Sequence, residues 1–296
     1  KISEWNVIDS AGYNIPHTPD SVGFNNPLIQ PSLIVSVNEL LKTNINLDSY
    51  RNSGYLQYSL DISKFSITSG FRYNYWSFNE ELLLSPRLSL SYLPNWEKDV
   101  IFKLATGVYY QPAFYKELRD FTGRINWDIK AQKSTHYIFG ADYLFYAWNR
   151  PFKLVSELYY KNLKNLIPYK IDNVRIRYLS DEISNGYAAG IDLKVNGEFV
   201  PGIESWGSLS IMKTEEDING DSYLDIDGSV IEPGYIPRPT DQRINFSLFF
   251  QDYLPKNPSY KMHLNLVYGS GLIFGPPKSE KFEDILRIPP YRRVDI

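Results

Sequence analysis

Between Glu215 and Gly228 the residues Asp217, Asn219, Asp221, Asp225 and Asp227 stand at alternate positions, interrupted only by Tyr223. Oxygen at every second residue is how a loop wraps a hard cation such as calcium. Counted from Asp217, however, glycine falls at the fourth place where a calcium loop needs it at the sixth, and the twelfth residue is Gly228 instead of a bidentate Glu. A solvated acidic loop accounts better for the segment. His17, His136 and His263 are the only imidazoles, and no two share a metal-ligand spacing. No Cys is present, which removes zinc ribbons, iron–sulfur sites, disulfide scaffolds and thiol chemistry together. GxSxG, Walker A and a GxGxxG opening a helix are absent as well. No catalytic, cofactor-binding or metal-ligating residue is therefore assigned, no cofactor is expected, and the chain reads as a non-enzyme.

Composition narrows the class further. The 296 residues include 24 Tyr, 16 Phe and 6 Trp, with 31 basic against 34 acidic side chains, a balance that excludes a disordered segment and a nucleic-acid binder resting on net positive charge. No apolar run approaches the length of about 18 residues that a membrane-spanning helix needs, but spanning strands carry a far weaker signal and stay open. The sequence starts at Lys1 without a targeting segment and is expected to be a mature or internal piece of a longer protein. Pro16, Pro19, Pro27 and Pro31 break up the first fifty residues; Trp5 to Asn26 reads as an extended loop, and Ser32 to Leu41 as a strand or a short helix.

From Tyr55 onward the dominant pattern is period two. Tyr187, Ala189, Ile191, Leu193 and Val195 alternate with Ala188, Gly190, Asp192, Lys194 and Asn196. The same split places Phe152, Leu154, Leu158 and Tyr160 opposite Lys153, Glu157 and Lys161, and Tyr137, Phe139, Ala141 and Tyr143 opposite His136, Gly140 and Asp142. Earlier, Leu56, Tyr58, Leu60 and Ile62 oppose Gln57, Ser59 and Asp61; later, Ile244, Phe246, Leu248 and Phe250 oppose Asn245 and Ser247. About eleven strands result, most of roughly nine to twelve residues, longer than the usual five or six and long enough to cross a bilayer when tilted. His136 and His263 fall on the polar parity, as does a set of charges comprising Arg72, Asp142, Lys153, Glu157, Asp192 and Lys194.

The connections alternate in length. Short ones fall at Ser63 and Lys64, Pro94 to Asp99, Ala147 to Pro151, Val200 to Glu204 and Leu254 to Ser259; long ones at Ser77 to Ser85, Gln111 to Lys133, Asn162 to Asn185, Thr214 to Thr240 and Gly269 to Tyr291. In an up-and-down meander this puts all short turns at one end and all long loops at the other, the asymmetry of outer-membrane barrels. Tyr92, Trp96, Tyr146, Trp148 and Tyr253 flank short turns, where an interfacial aromatic girdle belongs. The long loops carry Tyr115, Phe121, Trp127, Tyr169, Tyr178, Tyr223, Tyr235 and Phe274, read chiefly as struts that keep the loops folded and secondarily as stacking platforms for a ligand.

Five stretches resemble the β-barrel of TonB-dependent outer-membrane receptors, most closely the Bacteroidetes type: YYQPAFYKELR (Tyr109 to Arg119), RPFKLVSELYYKNLKNLIPY (Arg150 to Tyr169), GYAAGIDLKVNGEFVPG (Gly186 to Gly202), PRPTDQRINFSLFFQDYLP (Pro237 to Pro255) and PPYRRVDI (Pro289 to Ile296). The resemblance implies an all-β, antiparallel, up-and-down transmembrane barrel in the bacterial outer membrane, here about 11 of an expected 22 strands, roughly from Tyr55 to Ile296. Residues 1–54 are expected to form an extracellular loop and a poorly assigned segment, and 55–296 part of the barrel. It further implies uptake of a scarce ligand (siderophore, vitamin, glycan or peptide) bound at the extracellular loops, with partners in TonB, reached through an N-terminal region that this sequence lacks, in outer-membrane lipid and in some relatives a surface lipoprotein. The inward charges would then contact a plug or one another across strands. Two other classes stay open: a passive porin, and a soluble all-β carbohydrate-binding module whose apolar faces pack on a second layer.

Overall fold

The computed structural model describes residues 14–15, 33–34, 47–119, 124–172, 175–224, 228–254, 257–274 and 286–296. Their wall strands are β1 (Arg51–Ile62), β2 (Phe65–Trp76), β3 (Glu81–Tyr92), β4 (Asp99–Gln111), β5 (Gln132–Ala147), β6 (Arg150–Leu166), β7 (Ser184–Val200), β8 (Ile203–Ile218), β9 (Ile244–Leu254), β10 (Asn257–Gly269) and β11 (Tyr291–Asp295). Each pairs antiparallel with its neighbours in sequence, so one sheet runs as an unbroken meander from β1 to β11. Among the described residues there is no helix. Leu33–Ile34 pairs with Asn14–Ile15, and the rest of the Ser32 to Leu41 segment lies outside the described residues.

Register explains why this sequence specifies this wall. Leu60, Ile67, Leu90, Leu104, Phe139, Leu158, Ile191, Ile211 and Ile244 are successive cross-strand partners over nine strands. All nine are exposed or half-exposed. One residue along each strand, on the other face, the partners are Asp61, Ser66, Ser91, Lys103, Gly140, Glu157, Asp192, Ser210 and Asn245. One face is a continuous apolar band and the other is polar, and a slip of a single residue in any pairing would exchange them. Among the described residues no second layer covers the apolar band, as a soluble sandwich would require. A band of this kind is stable against lipid.

The turns sort as the alternation predicts, with one correction. Residues 63–64, 93–98, 148–149 and 201–202 are short turns at one end; Trp148 and Asn149, with φ of 51° and 58°, form the left-handed pair that a two-residue hairpin of the primed type requires. Residues 112–131, 167–183, 219–243 and 270–290 join the other ends. The expected long loop Ser77 to Ser85 is instead the turn 77–80, and β3 already starts at Glu81. Three consecutive leucines hide its alternation: Leu82 and Leu84 point outward, while Leu83 and Ser85 are buried on the inner face.

At the short-turn end Phe152 packs against Gly197, where a Cβ would stand 2.5 Å from the ring, and stacks on Phe145 with Trp148 and Phe199 edge-on. Glycine therefore makes room for one corner of an aromatic girdle, and the exposed Trp148 continues it, whereas Tyr146, expected there, shares the inner parity of Asp142.

Candidate functional site at the long-loop end

The long loops fold together over their end of the barrel wall. Trp76, Ala113, Leu118, Ile129 and Ile167 form a small dry core drawn from β2 and from loops 112–131 and 167–183, with Leu47, Phe78, Ile125 and Tyr178 packed around it. Polar bonds lock the loops to one another: the Asn126 side chain donates to the Ser180 carbonyl at 2.7 Å, Asn79 to the Ile129 carbonyl at 2.9 Å, and the Ala131 N–H to the Glu81 carboxylate at 3.0 Å. Trp76 stacks on Phe78 at 4.8 Å and Phe78 on Trp127 at 5.0 Å. This column runs from a buried ring to Trp127, which is 57% exposed.

Glu117 lies within this core. Burial pushes its carboxyl above the ordinary carboxylate range, opposed by the Phe114 N–H that donates to it at 2.8 Å. Burial and the nearby Glu117 likewise raise Tyr178.

A second assembly closes the loop that leads from β8 to β9. The ladder between these strands ends at Ile211 and Ile244. Beyond it β8 would present bare N–H and C=O groups, and the loop supplies partners for them. Arg243 O accepts from Met212 N, Asp241 Oδ1 from Thr214 N at 2.8 Å, and Thr214 O from Arg238 N, after which Ile236–Pro237 pairs with Glu215–Glu216. Asp241 is fully buried and also takes the guanidiniums of Arg243, at 2.7 Å, and Arg287. Buried Glu216 accepts from Ser184 Oγ at 2.7 Å and faces Arg238.

The residues singled out from sequence divide among these places. Asp142, on the inner face, bridges Lys103 at 2.8 Å and Lys153 at 2.7 Å on the two adjoining strands, a contact of wall charges with one another. Lys194 lies over Trp206, and Glu157 and Asp192 are cross-strand partners. His136 stacks on Tyr109 and His263 lies beside Phe249, both on the inner face. Of the acidic segment, Glu215, Glu216 and Asp217 continue β8, while Asp225 and Asp227 lie outside the described residues, as do His17 and Phe121. The strut reading of the loop aromatics holds for Trp127 on Phe78, Tyr169 on Tyr178 and Tyr235 on Tyr187. Sequence reasoning singled out neither Glu117 nor the buried Trp76, Asp241 and Glu216. Asp241 lies in the PRPTDQR stretch and Glu117 in YYQPAFYKELR, segments notable in the sequence for their family resemblance alone.

An uncovered apolar band on one face, a polar face behind it, short turns below and packed loops above define an outer-membrane β-barrel. The chain belongs to the family described as TonB dependent receptor-like, beta-barrel, whose model matches residues 4–296. Among solved structures it is similar to the ferric-catecholate import receptor Fiu from K12 E. coli in its closed form, with a TM-score of 0.57 and 14% identity over 91% of this chain and 42% of that one. It is also similar to a chain in the structure of the FpvAI–pyocin S2 complex, with a TM-score of 0.55 and 10% identity over 94% of this chain and 36% of that one. The chain thus spans less than half the length of either. No curated protein sequence matches it.

Proposed function

We propose that this chain forms part of the wall and the extracellular mouth of an outer-membrane receptor that takes up a scarce ligand with energy delivered by TonB. The observation that supports the reading is the nine-strand apolar row, a face suited to lipid; on this reading the short turns are periplasmic and the packed long loops extracellular. Family membership supports the coupling to TonB. The mouth offers an exposed Trp127 stacked on Phe78 and loops tied together by hydrogen bonds, groups suited to binding and selecting a ligand. Siderophore, vitamin, glycan and peptide are the ligand classes this reading admits.

The test is growth of the native bacterium, with and without the gene, on single sources of iron chelate, vitamin, glycan or peptide, repeated in a TonB-deficient background. Loss of growth on one source in both backgrounds supports the reading. Uptake that survives without TonB would indicate a passive porin.

A further inference from the structure

On the outward face, above the apolar band, the wall leaves one charge arrangement unbalanced. Along β4, β5 and β6 the outward positions climb from Leu104, Phe139 and Leu158 through Thr106, Tyr137 and Tyr160 to Tyr110, Lys133 and Lys164. Lys133 and Lys164 are direct cross-strand partners, an arrangement in which like charges destabilise the pair. Among the described residues neither forms an ion pair; the Lys133 ammonium sits 5.8 Å from the centre of the Tyr110 ring, and Lys164 is exposed.

The acidic groups on this face do not compensate them. Glu215 and Asp217 stand on β8, two strands and roughly 10 Å from Lys164. Glu215 is already engaged by Lys213 at 2.8 Å and Arg243 at 3.8 Å.

Height on the wall decides what meets these lysines. They lie four residues beyond Tyr137 and Tyr160, roughly 13 Å along the strand and about 9 Å along the membrane normal for a strand tilted by about 45°. Tyrosines at the top of the apolar band mark the hydrocarbon boundary, so the ammonium groups stand at the level of lipid headgroups.

We propose that Lys133 and Lys164 form a docking site on the outer wall for the phosphate of an outer-leaflet lipid headgroup, both ammoniums donating to its oxygens. The proposal rests on the long-loop end facing outward and is independent of the ligand taken up. A basic group near an anionic membrane surface contributes about 1 kcal/mol, so K133Q/K164Q should hold such a lipid roughly 30-fold more weakly than wild type.

The experiment uses the full-length receptor in phosphatidylcholine nanodiscs, with lipid A as the probe and retained lipid counted by native mass spectrometry. K98Q, at the short-turn end, should retain lipid A as wild type does. Unchanged retention by K133Q/K164Q overturns the proposal. Displacement of lipid A by an equal concentration of inorganic phosphate would reveal a free-anion site and also overturn it. Loss in K98Q with retention in the double variant would overturn the orientation itself, leaving the family assignment intact.

Discussion

Asp241 holds Thr214: its Oδ1 accepts the Thr214 backbone N–H at 2.8 Å, with both residues buried, at the point where β9 turns away from β8. A loop side chain thereby stands in for a missing strand partner. The same carboxylate gathers Arg243 and Arg287, so one residue joins β8, the start of β9 and the loop that precedes β11.

Asp241→Ala should therefore cost about 3 kcal/mol or more, because it strands a buried N–H and two guanidiniums at once. Asp241→Asn, which keeps an acceptor for Thr214, should lose less. The heat needed to unfold the detergent-solubilised barrel in gel-shift assays gives both values, and equal losses would show that the charge alone matters.

The apolar row predicts a sharp contrast between adjacent positions. Ile211→Lys places a charge against lipid and should destabilise the wall, by up to about 2–4 kcal/mol at the bilayer midplane and less toward its edge, whereas Ser210→Lys points inward and should be close to neutral. Outer-membrane abundance of the two variants, read by surface labelling, checks it. Equal abundance would contradict the facing assigned to β8.

On the inner face Asp142 serves both Lys103 and Lys153, whose side chains remain 41% and 39% exposed. Losing either lysine leaves the carboxylate one partner, and solvent screens the rest, so Lys103→Ala and Lys153→Ala should each cost less than about 1 kcal/mol. Asp142→Ala leaves the two ammoniums facing each other and should cost more than either. Unfolding temperatures of the three single variants, compared side by side, decide the order.

Glu117 makes the loop core sensitive to pH in a defined direction. Its carboxyl is raised in the folded state, so between about pH 4.3, the unfolded value, and that raised value the folded loop binds more protons than the unfolded one. Stability consequently falls as pH rises through that window and is fully regained below it. Protection of the amides of residues 112–119, taken relative to their intrinsic exchange rates at each pH, should be greater at the acidic end, and Glu117→Gln should flatten the profile. An unchanged slope in that variant would assign the effect elsewhere.

Much of this architecture was legible from one sequence because period-two alternation is a local property. A strand with one lipid-facing and one polar side writes both faces into consecutive residues, as Tyr187 to Asn196 does, and loop length repeats the message at each end. Alternation fails where both faces are apolar: Glu81 to Ser85 reads as loop because Leu83 packs inward beside its outward neighbours Leu82 and Leu84.

What the chain's own order of residues determined is thus the wall: strand number, facing and the end at which the long loops lie. Which residues meet across distance was settled only by tertiary structure. The convergence of Asp241 with Thr214 and Arg287, the column from Trp76 to Trp127 and the unbalanced pair of Lys133 with Lys164 depend on pairing register and loop packing. No periodicity encodes such contacts, because they join residues tens of positions apart whose spacing becomes fixed only when neighbouring strands have found their hydrogen bonds.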